Sequence, residues 1–484
     1  MEIISRHYIH QDIKYYDGLD LVCKDINDFN HAINFWKIIL YEGYGLRPGN
    51  LIGVYDRSIR FNYVSLIFAA AELGLILVMI PDRPKNDKGE FPKLESIISQ
   101  FGLMELAILD ERVNEHAMPE FVAMAHKYGK KVITTDAYNT YTIKDNDLYA
   151  RLSETIYPSP SDTFVLTTSS GSISAPRVVL YSHQSLYRIG IRNAELAGFQ
   201  GKTMCHIRNM HHPFVLVESF LPGLRYCPVH YSQANMFKES TTGDFIKLLM
   251  DYKIGVVLLA WKEMLDNSIA YMIEHNLKFE HKIEIFVGGF LLTSDYIEKL
   301  KSVNIYQLHS SYGESSVKSP IFVKVINQNT DYDTFRDNSI GLLVDDFYSV
   351  EIVPEGIKVL CPSMFEGSKI IDDKIEKHGD EYFFLGRDNL LRINEIEFNL
   401  SEISDIVGQN FKGDFDVSVD MKYQKLYLAV WSGDPDVNKI NQACKDKYDR
   451  LYFFGVKKLD KPLFTSGIKL DQDALRCEFR KDFL

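Results

Sequence analysis

The chain has 484 residues, 46% of them apolar, and carries 54 basic against 66 acidic side chains for a net charge of −12. That length exceeds one ordinary hydrophobic core and predicts two or three domains with well-filled interiors. The acidic balance argues against a nucleic-acid or anionic-membrane surface as the main activity.

The N-terminal MEIISRHYIHQDIKYY places charges where a signal peptide needs its apolar core, so no export is expected. LIGVYD, Leu51 to Asp56, predicts a strand after the turn-forming Arg47-Pro48-Gly49-Asn50. Tyr63 to Ile80 approaches membrane-spanning length but contains Glu72 and Gly74. The better parse is a buried helix, Tyr63 to Leu73, turning at Gly74 into a strand, Leu75 to Ile80, ended by Pro81, with no integral membrane contact. Met104 to Asp110 predicts a strand, and Phe121 to Asp136 a helix closed by Gly129 followed by a strand, Lys131 to Thr134. Strands that are apolar on both faces and alternate with helices indicate parallel sheets.

The apolar run Phe164 to Leu166 feeds the hydroxyl-rich stretch TTSSGSISAPRVV, Thr167 to Val179. With Ser169, Ser170, Gly171, Ser172 and Ser174 in it, this loop can turn backbone N–H groups and hydroxyls onto an anion, and Arg177 can add a fixed positive charge. A plain solvent loop has the same composition. A second run of elements follows: helix Tyr181 to Leu196 stopping before Gly198, strand Lys202 to Ile207, helix Thr242 to Asp251, strand Ile254 to Ala260, then EIFVGG (Glu284 to Gly289) and Val303 to Leu308. Ligands of open α/β sheets sit beyond the carboxyl ends of strands, where the loops with special content fall. Past Ser339, GLLVDDFYSVEIV and EGIKVL predict a small β-rich subdomain. From about Arg387 a small α+β lid is expected, with strands Lys425 to Trp431 and Arg450 to Phe454 around a helix near Val437 to Tyr448. The six cysteines, Cys23, Cys205, Cys227, Cys361, Cys444 and Cys477, are scattered without a C-x-x-C pair. They predict isolated thiols in a reducing, cytoplasmic compartment.

The serine loop resembles the phosphate-binding motif of the adenylate-forming, AMP-binding superfamily of acyl-CoA synthetases, peptide-synthetase adenylation domains and luciferases. Ser169, Ser170, Gly171, Ser172 and Pro176 match that motif, and Arg177 stands for its lysine; Ile173, Ser174 and Val178 replace a threonine and two glycines. HSSYGESS, His309 to Ser316, is similar to the family's aromatic-Gly-x-Thr-Glu segment. By that likeness Tyr312 stacks on adenine beside Gly313, and Ser315 reaches the α-phosphate. Ser316 occupies the place of the metal-binding glutamate, which leaves Glu314 as the carboxylate for magnesium. His211-His212-Pro213-Phe214 resembles the segment that sets a histidine, here His212, against the acyl carboxylate, and Gly288-Gly289 resembles the glycine pair running past acid and adenine.

Asp372 stands fifteen residues before Arg387, as in the family's Gly-Asp and Gly-Arg pattern, which implies a ribose-binding carboxylate and an arginine on the same nucleotide face. Asn389 replaces the hinge residue, and Glu395 falls where a glycine lines the acceptor thiol's path. In PLFTSGIKLDQDALR, Pro462 and Gly467 align with the closing motif, Ile468 takes its catalytic lysine's place and Lys469 follows one residue late. The resemblance implies a large domain, residues 1–386, and a mobile C-terminal lid, 387–484. It also implies ATP- and magnesium-dependent activation of a small carboxylic acid, with coenzyme A, a carrier protein's phosphopantetheine or an amine as acceptor. Phe214, Phe220 and Phe290 supply apolar surface for the acid. A relative that binds nucleotide without adenylating, or a subunit of a biosynthetic complex, are the other readings of the same departures.

Overall fold

The computed structural model describes residues 2–17, 21–55, 59–80, 104–109, 125–143, 146–168, 178–207, 215–232, 242–259, 262–288, 291–313, 317, 320–332, 335–336, 339–344, 348–354, 356–361, 367–371, 373–387, 390–393, 396–420, 425–448, 451–460, 464–465, 469–470, 475 and 478–481. Two large sheets dominate. The first has eleven strands in the order Asp373–His378, Glu381–Arg387, Ser339–Leu343, Phe322–Asn327, Gln307–Tyr312, Glu284–Gly288, Val256–Leu258, Thr203–His206, Val229–Ser232, Lys14–Asp17 and Val22–Lys24. Its six central strands, from Gln307–Tyr312 to Lys14–Asp17, are parallel, and the strands outside them are antiparallel. The second has six, Lys131–Thr134, Met104–Leu109, Leu51–Tyr55, Ile76–Met79, Thr163–Thr168 and Val178–Ser182, parallel except for the last.

Helices cover these sheets because the strands are apolar on both faces. Phe245, Leu249, Leu265, Ile269, Ile297 and Leu300, from three helices, pack on Cys205, Val257, Ile285 and Leu308 of the first sheet. Helices Ile26–Ile38 and Phe61–Glu72 share a core with Ile52, Val54 and Leu77 of the second. The apolar stretch that reaches membrane-spanning length is divided as its glycine predicts: the helix ends at Glu72, Gly74 turns with φ of +67°, and the strand Ile76–Met79 follows. No helix among the described residues is long and apolar enough to cross a membrane.

Glu72 is fully buried in that helix, and its charge is met from two sides. Arg6 donates to it through its backbone N at 2.9 Å and its guanidinium Nε at 2.8 Å, and Lys37 Nζ donates at 3.0 Å. Lys37, also fully buried, reaches the Thr155 carbonyl at 2.7 Å, and the Tyr157 amide donates to the Glu72 carbonyl at 3.0 Å. One carboxylate thereby ties together the N-terminal segment, two helices and the approach to the strand Thr163–Thr168.

Several elements fall elsewhere than the sequence predicts. The helix expected from Tyr181 starts at His183, because Val178–Ser182 pairs as a strand and the Ser182 hydroxyl caps the helix by accepting from the Ser185 amide. Val303 closes the helix Asp295–Val303 instead of opening a strand, and that strand starts at Gln307. The strand predicted at Arg450 to Phe454 is Phe453–Lys458. Ser339–Leu343 joins the large sheet, so the separate β-rich unit consists of Ser349–Val353, Gly356–Leu360 and Ser368–Ile371. The helix expected from Phe121 begins outside the described residues, and Gly129 ends it with φ of +68°. Towards the C-terminus, helices Leu400–Asn410 and Val437–Tyr448 pack on Phe415–Asp420, Lys425–Val430 and Phe453–Lys458 around Ile403, Val407, Leu428, Ile440 and Cys444.

Candidate nucleotide and acid site

The parallel strands of the large sheet deliver their carboxyl ends to one edge. Gly288, the last residue of its strand, is in register with Ser311, and Tyr312 ends the next strand with Gly313 directly after it. Tyr312 is half-buried, with Phe322 and Phe384 at centroid distances of 5.7 and 6.1 Å. Its hydroxyl donates to the Asp373 carboxylate. Asp373 is only 2% exposed and lies opposite Arg387 in the hairpin Asp373–His378/Glu381–Arg387. Sixty residues of intervening chain thus return a carboxylate to the Tyr312 ring, and the backbone of Arg387 sits on the same hairpin.

Asp373 is the residue that sequence spacing misses. Asp372, the carboxylate chosen from its distance to Arg387, lies outside the described residues, and Asp373 is its neighbour. Two adjacent aspartates leading into a strand are the available signal.

Under this edge the two central strands are joined by polar side chains. Lys202 Nζ lies 2.7 Å from Glu284, and His309 Nε2 lies 3.4 Å from the same carboxylate, an ion-pair distance without hydrogen-bond alignment. Burial pushes the Glu284 carboxyl up, but the neighbouring His309 ring and the Lys202 ammonium outweigh it and hold the group below the usual carboxylate range. The His309 ring stacks on Phe286 at 4.2 Å, which fixes the strands carrying Gly288 and Tyr312 against each other.

The serine loop closes a β-hairpin. Thr168 pairs with Val178, so both ends of residues 169–177 are held in one antiparallel ladder at the carboxyl end of the strand Thr163–Thr168. Ser169, Ser170, Gly171, Ser172 and Arg177 themselves lie outside the described residues, as do His212, Gly289, Glu314 and Ser315. Phe220 is buried in the helical segment Leu216–Phe220, whereas Phe214 and Phe290 lie outside the described residues. Lys469 has its backbone in the two-residue strand Lys469–Leu470, opposite Thr465. Among the described residues no group of three or more His, Cys, Asp or Glu side chains could hold a metal ion.

No family model matches the sequence, and no curated protein is similar to it by sequence. Solved structures are similar to it in fold over almost the whole chain. McyG A-PCP complexed with phenylalanyl-adenylate shares 15% identity and a TM-score of 0.74, over 98% of this chain and 93% of that one. ATP-bound MatB from Rhodopseudomonas palustris shares 14% identity and a TM-score of 0.72, over 98% and 97%. The Mycobacterium tuberculosis fatty acyl CoA synthetase shares 14% identity and a TM-score of 0.71, over 99% of both chains. With its parallel sheets and this full-length likeness, the chain has the fold of the adenylate-forming, AMP-binding superfamily.

Proposed function

We propose that this protein activates a carboxylic acid with ATP, forming an acyl-adenylate and releasing pyrophosphate, and then passes the acyl group to a thiol or an amine. The observation that carries the proposal is the fold likeness to ATP-bound and adenylate-bound structures over 97–98% of the chain, with Tyr312 and the Asp373–Arg387 hairpin meeting at one strand-end edge. A carboxylate oxygen attacks the α-phosphorus in line; the new P–O bond forms as the bond to the bridging oxygen breaks, and that electron pair leaves with pyrophosphate. Such a reaction needs positioning and charge compensation from the protein more than proton transfer.

The roles divide by place. Tyr312 and Gly313 take the adenine, with Gly288 and Gly289 beside adenine and acid. Asp372 takes the ribose hydroxyls, with Arg387 on the same face. Ser169, Ser170, Gly171, Ser172 and Arg177 hold the polyphosphate, and Ser315 the α-phosphate. His212 and Lys469 stand between carboxylate and phosphate. Magnesium bound with ATP neutralises phosphate charge, and Glu314 is the carboxylate proposed for it. Residues 1–386 form the nucleotide- and acid-binding domain, and 387–484 the lid that presents Lys469. The acceptor is coenzyme A or the phosphopantetheine of an acyl carrier protein, or a small amine.

Pyrophosphate release measured with a panel of carboxylic acids tests this reading, and no release above background with any acid overturns it. A nucleotide-binding protein that does not adenylate is favoured by Ser316 and Ile468 at the family's glutamate and lysine positions. That second reading predicts calorimetric ATP binding with no pyrophosphate from any acid.

A further inference from the structure

The strand Thr203–His206 ends in one member of a buried histidine pair that none of the proposed roles uses. His206 Nε2 and His230 Nδ1 are 2.9 Å apart, with the two rings parallel to within 1°. His230 Nε2 is 2.7 Å from the Cys227 carbonyl oxygen. A carbonyl only accepts, so His230 carries its proton on Nε2 and, in the neutral ring, offers a lone pair at Nδ1. His206 Nε2–H donates to that lone pair, which leaves His206 Nδ1 as a bare acceptor. Among the described residues Nδ1 has no hydrogen-bond partner, and His206 is 2% exposed. Burial keeps both rings neutral, pulling His230 down to about 4 and His206 well below the ordinary imidazole value. A buried acceptor without a donor is costly to leave, so the atom calls for one.

The sheet register relates that acceptor to the strand-end edge. Cys205 pairs with Val257 and Val257 with Ile285, which sets His206 level with Leu258 and Phe286 and two residues short of Gly288, on the same face. Two strand spacings across and two residues along put the His206 and Gly288 backbones about 12 Å apart, the reach of a small acid lying along the face. Met204, Val215, Leu258 and Phe286 make one apolar cluster there, and Phe220 meets the His206 ring edge-on at 5.3 Å. The nearby hydroxyls of Tyr15 and Ser232 donate to the Ile59 carbonyl. A trapped water needs two to four polar partners, and among the described residues Met204, Val215, Leu258 and Phe286 supply none. A charged ammonium is disfavoured in the same surroundings.

Resting on the adenylation reading above, we propose that His206 Nδ1 accepts a hydrogen bond from an uncharged donor, a hydroxyl or ring N–H, on the tail of the carboxylic acid. His206 is then a specificity-determining residue, and the natural substrate is a donor-bearing acid. A site that leaves a buried acceptor unpaired rejects the analogue lacking the donor.

The test uses pairs of acids differing only by a hydroxyl, assayed for ATP-dependent pyrophosphate release with the full-length wild type, His206→Leu and His206→Gln. The wild type should prefer the hydroxy acid in kcat/KM by roughly ten- to a hundredfold. His206→Leu should bring the ratio close to one, and His206→Gln, which keeps an acceptor, should restore part of it. A wild-type ratio near one for every pair, or an unchanged ratio in His206→Leu, overturns the proposal and assigns the acceptor to a water or to the chain itself. If no acid releases pyrophosphate, the adenylation reading fails separately, and calorimetric binding of the same pairs decides by the same ratio. Should His206→Leu not fold, the wild-type 15N resonance of His206 Nδ1 still decides: it shifts with the hydroxy acid and not with its partner, whereas equal shifts or none overturn the proposal.

Discussion

Replacing Glu72 by glutamine keeps the volume of the side chain and removes the charge that Lys37 and Arg6 share. Lys37 and Glu72 are both fully buried, so after the change the ammonium keeps neutral acceptors, the Thr155 carbonyl at 2.7 Å and the new amide oxygen, but loses its counter-charge. Breaking a buried pair by removing one partner costs about 3 to 5 kcal/mol. The change should therefore lower the urea midpoint of the first unfolding transition by that amount of free energy, and speed hydrogen exchange at the Arg6 and Tyr157 amides, which donate to Glu72 itself. The double variant Glu72→Leu with Lys37→Met removes both charges together and should recover about 0.5 to 3 kcal/mol relative to the sum of the single changes. For Glu72, burial raises the carboxyl, but the Arg6 bond and the Lys37 charge outweigh it and hold it below the usual range. Its stabilisation is thus present above the unfolded glutamate value and lost only as pH falls through the lower folded one. If Glu72→Gln unfolds within about 0.5 kcal/mol of the wild type, or the two sites add without coupling, the buried clasp is not what anchors this region.

Asp372→Ala should weaken ATP binding by about 1 to 3 kcal/mol through lost ribose hydrogen bonds, and unchanged calorimetric affinity in the folded variant sinks that role. Tyr312→Phe, which loses the bond to Asp373, is the companion that separates ring placement from ribose binding. Arg177→Ala and Gly171→Val should each depress ATP-dependent pyrophosphate release; wild-type rates in both mean the serine loop is not the phosphate site. Lys469→Ala should slow acyl-adenylate formation by roughly a hundredfold or more, equivalent to about 3 to 4 kcal/mol, while transfer from a preformed acyl-adenylate continues. A small effect on that first step passes the role to Lys461 or Lys458, or removes adenylation from the natural ligand. His183 and His230 are both lowered by burial from the ordinary 6.5 to about 4, so the unfolded chain takes up their protons first as pH falls. Stability should be full above 6.5 and decline towards 4; equal denaturation midpoints at pH 7 and pH 5 contradict it.

What was legible in the sequence was local. Gly74 marks its turn because few other residues take a positive φ, and helices Thr242–Asp251 and Val437–Tyr448 and strand Lys131–Thr134 announce themselves by period and punctuation. Helix Ile26–Ile38 could have been found as well: Asp25 and Asp28 form a reciprocal capping box at its start. The apolar run at Val303 resisted division, because a buried helix end and a buried strand start look alike over so few residues.

The site divides in the same way. The serine loop, the Tyr312-Gly313 pair and the Asp-to-Arg spacing are contiguous strings, and a string can be read. The Tyr312 bond to Asp373, the Glu72 clasp and the His206–His230 pair join residues 61, 66 and 24 positions apart, and each depends on strand register or helix packing. Their chemistry is also conditional. Only the Cys227 carbonyl decides the His230 tautomer, only that tautomer exposes the His206 lone pair, and a histidine in an apolar strand gives no sign of either. The proposed recognition of the nucleotide is thus written in motifs, whereas the proposed choice of the acid rests on contacts that exist only after folding. That is why the family resemblance leads as far as a proposed adenylation, and the proposed donor-bearing substrate is inferred from the face of the sheet between Gly288 and His206.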